Sequence, residues 1–144
     1  MSVLEAIDQL FAEKKLPLKK QEIPNNQYVY QGTFNIRPDK QIPFGVVIVD
    51  GEGLVDYQIS FKRLAYLTNY NEKEKVLELI NELNQTIAFY FTVFLAGDGE
   101  IIMKMMAKTS EDVRPIYDTL IVGSNVAKHV MAELEKIIPP TEIE

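Results

Sequence analysis

Hydrophobic residues recur along this chain in two rhythms, one near 3.6 residues and one of two, and each change of rhythm predicts a new element. Val3, Leu4, Ile7, Leu10 and Phe11 fall on one helical stripe, with Glu5, Asp8, Glu13 and Lys14 mostly outside it. Residues 3–15 therefore read as an amphipathic helix. Ser2 and Glu5 have capping-box spacing, which lets a hydroxyl and a carboxylate satisfy amides left unpaired in the first turn. Pro17 and Pro24 bracket a polar connection expected to be irregular, because proline lacks an amide proton and restricts the residue before it.

From Gln27 to Ile36 the period becomes two: Tyr28, Tyr30, Phe34 and Ile36 fall opposite Gln27, Gln31, Thr33 and Asn35, as in a half-buried strand. Phe44 to Asp50 is almost continuously apolar and ends in Asp50-Gly51-Glu52-Gly53, a glycine-rich reversal. The return strand, Val55 to Phe61, alternates Val55, Tyr57, Ile59 and Phe61 with Asp56, Gln58 and Ser60. These three strands form a meander.

Asn71 and Glu74 repeat the cap spacing, and Val76, Leu79, Ile80, Leu83 and Ile87 return to helical intervals, so a second helix covers about 72–85. An aromatic and β-branched run, Phe89 to Leu95, then a Gly97-Asp98-Gly99 turn and Ile101 to Met106, read as a second hairpin. A third helix follows from Val113 to the Pro139-Pro140 stop, with Pro115 tolerated in its first turn. Gly123-Ser124 in its middle costs about 1 kcal/mol of helix propensity relative to alanine. The pair marks either a close contact with another backbone or a bend. The order α-β-β-β-α-β-β-α implies an antiparallel sheet covered by helices, an α+β domain.

Composition narrows the rest. At 144 residues with 47% hydrophobic and 25% charged side chains, residues 1–144 suit a single globular domain with its own core. The absence of cysteine removes disulfides, thiolate metal sites and thiol nucleophiles, and favours a reducing compartment. A net charge of -6 has the wrong sign for a phosphate backbone, so no nucleic-acid partner is expected. The one basic cluster, Lys14, Lys15, Lys19 and Lys20, reads as a solvated stretch. With acids at Glu5 and Asp8 near the N-terminus and no long apolar run, neither a secretory leader nor membrane insertion is expected, and the location is read as cytoplasmic.

Candidate chemistry is sparse. Asp50, Glu52, Asp56, Asp98 and Glu100 cluster around the two hairpin turns, but Asp and Gly are what tight turns require, and calcium-loop spacing is absent. His129 is the only histidine and has no visible co-ligand or nucleophile. Ser60, Ser110 and Ser124 lack a nucleophile-elbow context. No catalytic residue, metal site or cofactor site emerges, and the chain is read as non-enzymatic with no cofactor.

Residues Val76 to Asn84 form a helix with an Asn-x-x-Asn ending, followed by an aromatic strand, a Gly-Asp-Gly turn and a second strand. With this element order and acidity the chain resembles the type III secretion chaperone-like fold, including its YbjN-like members of uncertain function. The resemblance implies a small homodimer that works through protein contacts, without catalysis or cofactor, and in the chaperone branch it implies a protein client held in extended form.

The second hairpin fits that expectation because both its faces are apolar. Phe89, Phe91, Val93 and Leu95 line one side of its first strand, and Tyr90, Thr92 and Phe94 the other. Ile102 and Met106 lie opposite Ile101, Met103 and Met105. A sheet covered on one face needs only one such set. Tyr90, Thr92, Phe94, Ile102 and Met106 are therefore the candidates for a homodimer interface or client groove, unless the third helix wraps behind the sheet and buries them. The functional reading is a dimeric protein-interaction module acting through this sheet face and the long C-terminal helix. The alternative is a small-ligand module with a pocket between helix and sheet.

Overall fold

The segments read with period two all join one antiparallel sheet. A computed structural model describes residues 2–138 and places six strands in the order β1-β2-β3-β4-β6-β5. In chain order the elements are α1 (Val3–Glu13), β1 (Lys19–Ile23), β2 (Gln27–Arg37), β3 (Lys40–Val49), β4 (Val55–Tyr66), α2 (Lys73–Thr86), β5 (Thr92–Leu95), β6 (Glu100–Thr109) and α3 (Arg114–Leu134). A single 3-10 turn, Tyr70–Glu72, leads into α2. The α+β class and the expected order are present, with one strand added in front of the meander.

That strand is β1, which replaces the irregular connection expected between Pro17 and Pro24. It pairs with β2 from Lys19↔Gln31 to Ile23↔Gln27. Both prolines fall just outside it, so neither removes a ladder hydrogen bond. As an edge strand with four exposed residues it has almost no core face, and therefore no apolar alternation to reveal it.

The capping box at α1 forms as expected: the Glu5 amide donates to Ser2 Oγ at 3.2 Å and the Ser2 amide to Glu5 Oε1 at 3.3 Å. The Val3 amide also reaches the Gly51 carbonyl at 3.1 Å, which ties the start of the helix to the β3–β4 turn. The Asn71–Glu74 pair does not cap α2; Asn69 Oδ1 instead accepts the Asn71 amide, and the 3-10 turn absorbs the unpaired first amides. The second hairpin is also shorter than expected on its first side. Phe89 turns to a φ of 54°, so the strand starts at Thr92. α3 spans 21 residues, and the Pro139-Pro140 stop lies outside the described residues.

The core lies between one sheet face and the helices. Ile42, Phe44, Val46 and Ile48 of β3, Tyr57, Ile59 and Phe61 of β4, Ile101 and Met103 of β6 and Val93 of β5 are all buried. Their register places them on one face: Phe44 stands opposite Phe61, Phe61 opposite Met103, and Met103 opposite Val93. α3 lies on this face with Ile116, Leu120, Gly123, Val126, Ala127, Val130, Met131 and Leu134 buried, and α1 and α2 flank it. Gly123 resolves the two readings of the helix centre. A Cβ there would stand 2.5 Å from Phe61 Cε1 and 2.7 Å from Phe91 Cζ, so the helix approaches two phenyl rings at a point where only glycine fits.

Candidate functional site

The opposite sheet face follows from the same register. Val29, Val47, Gln58 and Met106 form one row across β2, β3, β4 and β6. Gln31, Gly45, Ser60, Lys104 and Thr92 form the next. Phe94 stands opposite Ile102 at the β5 end. Among the described residues no helix packs on this face: Met106 is 70% exposed, Thr92 is exposed, and Phe94 and Ile102 are half-buried. The Lys104 ammonium lies 5.5 Å from the Phe94 ring centroid, a cation–π contact that shields part of the ring.

Four of the five sequence candidates, Thr92, Phe94, Ile102 and Met106, thus share one uncovered face. Tyr90 is not on the strand. It stands in the turn before β5, 68% exposed, beside the equally outlying Phe89. The alternative in which α3 wraps behind the sheet does not occur, because the apolar stripe of α3 packs on the inner face.

The sheet edge at β5 carries a second feature. The Ala96 amide donates to the Glu100 carbonyl at 2.8 Å, and antiparallel alternation then turns the backbone groups of Val93 and Leu95 away from β6. Asn84, in the last turn of α2, fills the first of these positions. The Val93 amide donates to its Oδ1 at 2.8 Å, and its Nδ2 donates to the Val93 carbonyl at 3.1 Å. One primary amide thereby takes the place of a neighbouring strand residue.

Beyond Asn84 the edge opens into a cleft of about 410 Å³ lined by Tyr70, Lys73, Leu77 and Ile80 on one side and Val93 to Gly97 on the other. Lys73, Leu77 and Ile80 are spaced by four and three residues, so they share one face of α2. Tyr70 and Leu77 are 58% and 44% exposed, and both also line a broader depression running outward along α2. Sequence reasoning missed this cleft. Its only signal was Leu77, which stands off the buried stripe of Val76, Ile80 and Leu83 and interrupts an otherwise polar helix face.

No protein-family model matches the chain, and no curated protein matches its sequence.

Elsewhere, polar side chains serve the scaffold. Asp50 Oδ1 accepts the amides of Gly51 and Leu4, and Asp98 Oδ1 accepts that of Glu100, so two of the turn acids hold turns. Lys20 and Tyr30 both donate to the Asp8 carboxylate, at 2.8 and 2.5 Å, and pin β1 and β2 to α1. Burial and then the bond to Asp8 push the Tyr30 hydroxyl far above the usual phenol range, which keeps it a neutral donor. Ser110 Oγ accepts the Asp112 amide, and Arg114 forks onto the Asp112 carboxylate at 2.7 and 2.8 Å. His129 is exposed on α3. Among the described residues no three His, Cys, Asp or Glu side chains converge as a metal site, and no helix is long and apolar enough to cross a membrane.

Proposed function

We propose that this chain is a non-enzymatic protein-interaction module of the YbjN-like, type III secretion chaperone-like kind, which forms a homodimer and engages a protein client in the cytoplasm. The observation that carries the reading is the uncovered outer sheet face, where Met106 is 70% exposed at the end of the row that holds half-buried Val29 and Val47, and half-buried Phe94 and Ile102 pair beyond Lys104. Apolar surface of this kind gains free energy when a partner removes it from water. Methionine suits such a surface because it is unbranched and polarizable, and adapts to its neighbour. α3, the second contact surface suggested by the sequence, has its apolar stripe on the chain's own core. The sheet face is therefore the stronger candidate.

Light scattering across a dilution series tests the dimer. The expected result is twice the chain mass of 16.5 kDa for the wild type, and monomer for Met106→Asp, which places a charge on the most exposed apolar side chain of the face. A wild type that stays at the single-chain mass at every concentration sinks the dimer. The small-ligand alternative is favoured by the cleft between α2 and β5. A small molecule released on denaturing the purified protein would carry that reading instead.

A further inference from the structure

We infer that the groove between α2 and β5 takes an extended, apolar segment of a partner protein carrying an acidic side chain, which adds to the sheet at Leu95. The inference rests on the protein-interaction reading and gives the client a place at the sheet edge, which meets the outer face at Phe94. Three observations select a polypeptide strand as the occupant. The Leu95 amide and carbonyl point away from β6, and they have no hydrogen-bond partner among the described residues. An incoming strand supplies one donor and one acceptor there, the pairing by which edge strands capture peptides.

The second observation is Asn84. Two residues back, its side-chain amide already gives Val93 the donor and acceptor that a strand residue would present. The edge is therefore in a pairing-competent conformation, and Asn84 sets where an added strand must stop. A guest enters from the Gly97 end and pairs at Leu95. The third observation is the lining. Tyr70 of the 3-10 turn and Leu77 and Ile80 of α2 offer apolar contact, and Lys73 is the single charged side chain in the groove lining. Lys73 forms no ion pair among the described residues, which makes an acidic residue on the guest its complement.

The test is a phage-displayed library of random decapeptides panned on the intact wild-type chain, followed by anisotropy titrations of the enriched peptides. The expected outcome is peptides that alternate apolar residues and carry an acid, with affinity falling about tenfold or more in Leu77→Glu. Lys73→Glu should weaken them further at low salt than at high salt, and amide exchange at Leu95 should slow on binding. Leu77 and Lys73 are exposed, so both variants should remain folded, as a thermal melt would verify. Failure to enrich any peptide overturns the inference, and so does unaltered binding to Leu77→Glu. The outer-face reading is scored separately: Met106→Asp should abolish the dimer while leaving peptide affinity intact. Peptides lost in Met106→Asp but kept in Leu77→Glu would move the client to the outer face and refute the groove alone.

Discussion

Gly123→Ala asks whether the glycine in the middle of α3 is a packing requirement. On an isolated helix the change should stabilise by about 1 kcal/mol, because alanine has the higher propensity. Here the new methyl would lie 2.5, 2.7 and 2.8 Å from the rims of the Phe61 and Phe91 rings, roughly 1 Å inside the contact distance of about 3.5–4.0 Å between carbons. Neither ring has room to retreat. Phe61 is fully buried and its centroid stands 6.1 Å from those of Phe34 and Phe44 and 5.7 Å from that of Phe91. Overpacking of this kind costs about 1–3 kcal/mol, and such close approach to fixed rings belongs near the upper end. The net expectation is a loss of about 1–2 kcal/mol, or a fall of about 0.5–1 M in the urea midpoint at a slope near 2 kcal/mol/M. Asn125→Ala, at an exposed position of the same helix, reports the propensity gain alone. Phe61→Leu should convert part of the Gly123→Ala loss into a gain in the double variant, a coupling that only contacting sites show. If Gly123→Ala raises the midpoint as much as Asn125→Ala does, the close-approach argument is wrong.

Asn84→Ala removes both hydrogen bonds to Val93 and should destabilise by about 1–2 kcal/mol, read by urea unfolding; an unchanged midpoint would show that solvent replaces them fully. Asn84→Asp keeps the acceptor but turns a carboxylate toward the Val93 carbonyl, so it should be no more stable than the alanine variant. Gly99→Ala should be strongly destabilising in the same assay, since φ there is 92° and the added Cβ would stand 2.5 Å from the Leu67 carbonyl oxygen, a backbone atom that cannot rotate aside. Asp112 should titrate at about 2 by carboxyl NMR, below its ordinary 3.8, because the Arg114 guanidinium and then the Arg114 amide hydrogen-bond its charged form. A depressed carboxylate stabilises the fold above its unfolded value, so this contribution is complete above about 4 and is lost as pH falls through about 2; Arg114→Ala should return the titration to near 3.8.

The dimer and groove readings rest on positions of very different legibility. Thr92, Phe94, Ile102 and Met106 fall on the side of the second hairpin that a sheet covered on one face leaves unused, and alternation places them together whatever the helices do. Tyr90 falls outside this set because the strand, and with it the alternation, begins only at Thr92. The positive φ at Phe89 is a backbone choice that an aromatic run does not announce. Asn84 stood in plain view at the end of α2, yet its partner is the outer edge of a strand whose identity as an edge depends on β6 lying between β5 and β4. Leu77 looked like one apolar residue among several until α2 took its place beside that edge.

From the sequence alone came the α+β class, the order of all but one element, and the alternation that sorts the side chains of β2 and β4 onto two faces. Periodicity is a local property: side chains repeat every two or 3.6 residues whatever they later touch, so amphipathic elements disclose themselves. β1 escaped because an exposed edge strand is stabilised by its ladder to β2, and ladder hydrogen bonds come from backbone that every residue shares. Tertiary structure alone decided which face of the sheet the helices cover, that Gly123 answers two phenyl rings, and that Leu95 faces an open groove while Val93 beside it is capped. Those outcomes depend on which distant segments become neighbours, a long-range packing result that no local pattern encodes.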